Sequence, residues 1–138
     1  MFTSRNLIGE DLTGADLSGE DLTGADLGDK DMRHTDLSSA DLSGANMRGT
    51  DLRFSDLACA SLWNTDLSYA NLSGADLTGA NLCNSDLSGA NLSGASLTGA
   101  DLSYANLSGA DLTCADLRDV DLRGANLTSV TLHGTTFW

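Results

Sequence analysis

The stretch Ala70-Asn71-Leu72-Ser73-Gly74-Ala75-Asp76-Leu77-Thr78-Gly79 decides the fold, because it states one five-residue unit twice without a break. Leucine stands at the centre of the unit, Asp or Asn precedes it, Ala stands two before, Ser or Thr follows, and Gly comes two after. Stepping by five from Leu72 in both directions, every central position holds Leu except Phe2, Met32, Met47 and Phe137, and no insertion breaks the register. A helix turns about 100° per residue, so leucines five apart would fan around its circumference, and along a flat strand they would alternate between faces. Neither arrangement packs a core. A chain that turns one corner per unit does, because each leucine then points to a common axis and successive coils stack as a solenoid.

The glycines place the corners. All 15 except Gly28 occupy the last position of the unit, where a type II turn needs a positive φ that Gly adopts without steric cost. Asp29, His34, Asn64, Asn84 and Asp119 at that position are the next most tolerant types. Phe54, Cys59, Tyr69, Tyr104 and Cys114 are not, and their corners are expected to use another turn type.

The A(D/N)LXX pattern, as in Ala40-Asp41-Leu42-Ser43-Gly44 and Ala105-Asn106-Leu107-Ser108-Gly109, resembles the pentapeptide-repeat family, and the resemblance covers the whole chain. It implies an all-β fold, a right-handed quadrilateral parallel β-helix (solenoid) with four units per coil and about seven four-sided coils. Four-sidedness comes from the resemblance, since a period of five does not count corners. The resemblance also implies that the central residue and the one two before it face inward, with the other three facing solvent.

With 138 residues the chain reads as a single domain, 1–138, built on a narrow apolar column. Residues 1–34 read as polar N-terminal cap coils, because Arg5, Glu10, Glu20 and Lys30 stand where Ala, Ser or Thr is usual and Glu10 would stack on Lys30. Residues 35–119 form the regular body. Residues 120–138 form an apolar C-terminal coil with Val120, Val130, Leu132, Phe137 and Trp138, in which Thr131 and Thr136 replace the aspartates. Proline is absent, as expected where nearly every backbone N–H joins a ladder. Met1 to Glu10 lacks the apolar core of a signal peptide and no apolar run spans a membrane, so a cytoplasmic, bacterial protein is expected.

Catalytic chemistry finds few candidates. His34 and His133 lie about five coils apart, roughly 24 Å at ~4.8 Å per coil, too far to share a metal ion. Cys59, Cys83 and Cys114 share no column, which argues for reduced surface thiols over disulfides. The serines follow the repeat, with no base placed to activate one. The reading is a non-enzyme with no cofactor and no metal.

Charge and aromatics remain. The formal net charge is −13, arising mainly at the position before leucine, where solvation alone is the bland explanation. In a coil of twenty, Arg33 and Arg53 can neutralise Asp31 and Asp51. Asp16, Asp36, Asp56 and Asp76 form the longest unbroken column with nothing to offset it. Phe54, Trp63 and Tyr69, all outward and within one coil's length, resemble the anchors of an interface or else lie flat over neighbouring Ser and Gly columns. These residues are the candidate partner-binding set of a non-catalytic protein-interaction or scaffold module, a rigid acidic rod. The resemblance permits an alternative, a DNA mimic that binds a type II topoisomerase, DNA gyrase. The sign of the charge opposes direct nucleic-acid binding. Val130, Leu132, Phe137 and Trp138 suggest a homodimer closing through the C-terminal coil, against a self-capped end with Trp138 folded over it.

Overall fold

The computed structural model describes residues 11–138, and throughout them the chain pairs in parallel with itself at a separation of twenty residues, from Asp16 with Asp36 to Asp116 with Thr136. A coil is therefore four units long and has four sides. The first face carries the units centred on Leu12, Met32, Leu52, Leu72, Leu92, Leu112 and Leu132. The second carries those of Leu17, Leu37, Leu57, Leu77, Leu97, Leu117 and Phe137, the third those from Leu22 to Leu122, and the fourth those from Leu27 to Leu127. Among the described residues each side contributes a single bridged residue and no longer strand, because a corner follows every third residue of pairing geometry. The all-β expectation is met by ladders of bridges rather than by extended strands.

One unit shows why these residues form this coil. Leu77 N–H donates to Ser96 O at 2.7 Å and Asp76 N–H to Ser55 O at 3.0 Å, which ties the unit to the coils on both sides. Gly79 N–H donates to Thr98 O at 2.9 Å, and Ala80 N–H closes the corner onto Leu77 O at 3.0 Å. The remaining donor, Thr78 N–H, is taken by the Asp76 carboxylate, Oδ1, at 2.9 Å. All five backbone N–H groups of the repeat are thus used. Proline would remove one of them anywhere, and the residue before leucine must be a short side chain with an acceptor oxygen. Asn serves as well as Asp: Asn91 Oδ1 accepts from Ser93 N–H at 2.9 Å.

The core is the column of central residues, from Leu27 to Leu112 essentially without solvent contact, filled in between by Ala40 to Ala115 at the inward small position. Where a hydroxyl replaces that alanine it finds a carbonyl. Thr35, Thr50 and Thr65 donate to Leu12 O, Leu27 O and Leu42 O one coil back at 2.8, 3.0 and 2.8 Å. Ser55 and Ser85 donate to Leu52 O and Leu82 O in their own units. No buried side-chain polar atom among the described residues lacks a partner, so these substitutions cost the column little.

The corners depart from expectation. Phe54, Cys59, Tyr69, Tyr104 and Cys114 do not use another turn type: their φ values are +58, +58, +59, +59 and +57°, beside +66° at Gly74. The reason lies one coil on. A Cβ at Gly74 would sit 2.7 Å from the Phe54 ring, one at Gly89 2.8 Å from the Tyr69 ring, and one at Gly124 2.6 Å from the Tyr104 ring. Each ring lies over the next coil's glycine, and Cys59 and Cys114 likewise cover Gly79 and Gly134 at 3.5 and 3.1 Å. The ladder bonds fix the corner, and the ring's contact over glycine offsets the roughly 1–2 kcal/mol of left-handed geometry.

At the N-terminal side Glu20 and Lys30 are half-buried at the small inward position, while Arg5, Glu10 and the Glu10–Lys30 stack lie outside the described residues. Toward the other end the column opens. Leu117 is buried, Leu122 half-buried, and Leu127, Leu132 and Phe137 are exposed, and the N–H groups of these last four make no backbone bond to a described residue.

Candidate interaction surface

The outward acidic position repeats on all four faces, and what surrounds it differs on each. On the first face Arg33 and Arg53 grip their own unit's carboxylates, with Nη2 2.6 Å from Asp31 Oδ2 and 2.7 Å from Asp51 Oδ2. Arg33 also reaches toward Asp51 at 3.9 Å, so the expected neutralisation is present. The Arg33 guanidinium hydrogen bonds hold the Asp31 carboxyl down to about 2. Farther along, Arg118 does the same to Asp116, also to about 2, and Arg123 grips Asp121. On the fourth face Asn side chains bridge coils: Asn46 Nδ2 donates to Asp26 Oδ1 at 2.8 Å, and Asn106 Nδ2 to Asp86 Oδ1 at 3.1 Å. On the third, Ser61 and Asn81 interrupt the acids.

The second face is the exception. Asp16, Asp36, Asp56 and Asp76 are paired rung to rung, and the ion pairs of the described residues include none of the four. Their oxygens bond within the unit: Ser18 and Ser38 hydroxyls donate to Asp16 and Asp36 Oδ1 at 2.7 Å, and Ala58 and Thr78 N–H groups donate to Asp56 and Asp76. The Ser18 hydroxyl, and then its N–H, lower the Asp16 carboxyl below its ordinary value, which keeps it ionised at neutral pH. At ~4.8 Å per rung the four carboxylates run ~14 Å along the rod.

The three aromatics singled out in the sequence are separated by the coil. Phe54, 59% exposed, stands at the corner of the first and second faces, and Tyr69, 62% exposed, at the corner of the fourth and first. Trp63, 49% exposed, lies on the third face, on the opposite side of the rod. Phe54 and Tyr69 therefore flank one face, and Trp63 does not join them. His34 stacks beneath Phe54 with centroids 5.5 Å apart, and the Arg48 guanidinium lies 4.7 Å from the Tyr69 ring centre. Sequence reasoning passed over Tyr104, the most exposed of the corner aromatics; the glycine twenty residues later was the available signal. At the apolar end Val130 is half-buried, Leu132 is exposed, and Phe137 and Trp138 lie 5.9 Å apart. Trp138 is 96% exposed, so it does not fold over the coil end as a cap. Cys59, Cys83 and Cys114 are free thiols, no group of side chains among the described residues could hold a metal ion, and no helix there is long and apolar enough to cross a membrane.

The pattern that defines the family described as pentapeptide repeats matches residues 2–27, 15–53, 48–82, 75–113 and 100–138, end to end along this rod. The chain belongs to the pentapeptide-repeat family. Among solved pentapeptide-repeat structures it is 39% identical to HetL, involved in heterocyst differentiation regulation in the cyanobacterium Nostoc sp. strain PCC 7120, over 88% of this chain and 63% of that one, with a TM-score of 0.34. This chain thus spans less than two thirds of HetL. It is 35% identical to a pentapeptide-repeat protein of the Arabidopsis thaliana thylakoid lumen over 81% of this chain and 71% of that one, TM-score 0.47. Trypsin-treated QnrB1, a plasmid-mediated fluoroquinolone resistance protein, is 22% identical over 92% and 85% of the two chains, TM-score 0.43. None of the curated proteins compared with the chain matches it.

Proposed function

We propose that this pentapeptide-repeat protein is a non-catalytic interaction module of the cytoplasm, a rigid right-handed β-helical rod that presents Asp16, Asp36, Asp56 and Asp76 to a basic surface of a protein partner. The observation that carries the reading is the second face. Asn supplies the backbone acceptor as well as Asp does, yet four consecutive rungs keep the charge while the other faces dilute it with Asn, Ser or Arg. Like charges one rung apart repel, so the fold alone favours Asn at some of these positions. The test is capture of partners from a bacterial lysate by the wild type and by Asp36→Asn with Asp56→Asn. A partner held by the wild type, released by moderate salt and lost with the double variant supports the reading; capture indistinguishable between the two overturns it.

The same column favours a second reading, a DNA mimic for DNA gyrase. Seven coils span ~34 Å, over which duplex DNA carries about 20 charges, against the net −13 of this chain. Recovery of gyrase in that capture, with inhibition of its supercoiling activity, selects this reading, and its absence leaves the general module. The exposed Leu132, Phe137 and Trp138, with Val130, are proposed as the interface of a homodimer through the C-terminal coil.

A further inference from the structure

The first face is built differently from the acidic second face it adjoins. Its rungs at Asn71 to Ala75 and Asn91 to Ala95 carry no charged side chain, and the face is bounded by the Arg53–Asp51 pair below and Asp111 above. On a chain with 20 acidic residues, this floor is neutral. It is also chemically unspent. Asn71 and Asn91 use Oδ1 to accept from Ser73 and Ser93 N–H, but their Nδ2 groups and the Ser73 and Ser93 hydroxyls bond to no described residue. On the fourth face the equivalent Asn46, Asn106 and Asn126 amides are all consumed by the rung below.

Two aromatic rings stand at the edges of this floor, each fixed from both sides. Phe54 is stacked on His34 below and lies over Gly74 beside Ser73, and Tyr69 has Arg48 below and lies over Gly89 beside Ala90 and Asn91. Both remain largely exposed. An extended peptide cannot add to this face as a strand, because its backbone N–H groups are already bonded along the rod or to the Asn side chains. Recognition must use side-chain amides, hydroxyls and ring faces. A sugar ring suits that set: its hydroxyls match the amides and serines, its C–H groups carry the slight positive charge that the negative face of an aromatic ring attracts, and it brings no charge to a neutral floor.

We propose that the first face, between Phe54 and Tyr69 and over Asn71, Ser73, Asn91 and Ser93, binds a neutral oligosaccharide. This surface is distinct from the aspartate column and does not depend on it.

The test is titration of the isotopically labelled protein with cellohexaose, maltohexaose and chitohexaose, followed by the NMR signals of the Asn side-chain amides. The expected result is saturable binding of at least one probe with a dissociation constant of ~0.1–1 mM, as suits a shallow open site, and shifts centred on Asn71 and Asn91. Phe54→Gly and Tyr69→Gly, which leave a residue suited to positive φ, should each weaken it about tenfold, and Tyr104→Gly at a distant corner should not. Asn71→Asp keeps the acceptor for Ser73 N–H while charging the floor, and should abolish binding without touching either corner. No response to any of the three probes at ~10 mM overturns the proposal, as does binding that survives both Tyr69→Gly and Asn71→Asp, or shifts confined to other faces.

Discussion

Replacing Gly89 by alanine tests the covered corner directly when it is set beside Gly94→Ala. The two glycines hold the same place in consecutive units, with φ of +65 and +66°, but a Cβ at Gly94 meets nothing within 4 Å while one at Gly89 meets the Tyr69 ring at 2.8 Å. Backbone strain is therefore common to both variants, about 1 kcal/mol for a side chain at left-handed φ. Gly89→Ala must in addition push the ring outward, losing its contact with the corner and with Arg48, which adds about 1–2 kcal/mol on the scale of overpacking and lost aromatic contact. At about 3 °C per kcal/mol for a chain of this size, thermal unfolding by circular dichroism should fall by about 3 °C for Gly94→Ala and by about 6–9 °C for Gly89→Ala. Tyr69→Gly with Gly89→Ala should restore the smaller decrement, because the clash is gone and only strain remains. Equal losses for the two single variants, or a double variant no better than Gly89→Ala, would refute the account of why bulky residues occupy these corners.

Leu77→Asp places an uncompensated carboxylate in a column with no solvent contact, a cost of several kcal/mol shared by the coils on both sides; the variant should be unfolded or aggregated by light scattering and circular dichroism, and a native melting curve would sink the inward column. Asp31 and Asp116 have folded pKa values lowered to about 2, so the stabilisation they bring is complete above the ordinary value near 3.8 and is lost as pH falls from there through about 2. Acid titration of Arg118→Met should return Asp116 to the ordinary range by NMR, and an unchanged Asp116 would show that the guanidinium is not the cause. The homodimer predicts a concentration-dependent mass by light scattering that Phe137→Asp abolishes; a monomer across a hundredfold range of concentration would remove it.

The coil of twenty was written in the sequence twice, and only one of the two signals was read. The leucine period of five fixes inward and outward positions, and the inward residues of the body are buried as that reading requires. It cannot count sides. A second period can: Phe54 with Gly74, Cys59 with Gly79, Tyr69 with Gly89, Tyr104 with Gly124 and Cys114 with Gly134 each place a glycine twenty residues after a bulky corner. Judged by their own φ preferences, Phe54 and Tyr69 looked like exceptions to the corner. Judged against the coil stacked on them they are part of it, since the ladder bonds at Phe54 N–H and Tyr69 N–H hold the backbone and the missing Cβ above makes room for the ring.

The interaction surface was half legible for a related reason. Proximity in a coiled chain is counted in twenties: Phe54, Trp63 and Tyr69 are close in sequence but sit at a corner, on the far face and at another corner, whereas Tyr69 and Asn91, twenty-two apart, border the same floor. The aspartates were harder to weigh because each has two roles that the sequence superimposes. One oxygen of every Asp or Asn before leucine closes the unit's last open donor, as Asp56 does for Ala58 and Asn81 for Cys83, so an acceptor there is required by the fold and says nothing of a partner. The charge is the part the fold leaves free to vary, and along the second face it is the part that does not vary across four rungs. That separation, between the oxygen the backbone requires and the charge it does not, is why Asp→Asn is the informative substitution in this protein: it removes the charge while preserving the acceptor, and whatever is lost with it was not structure.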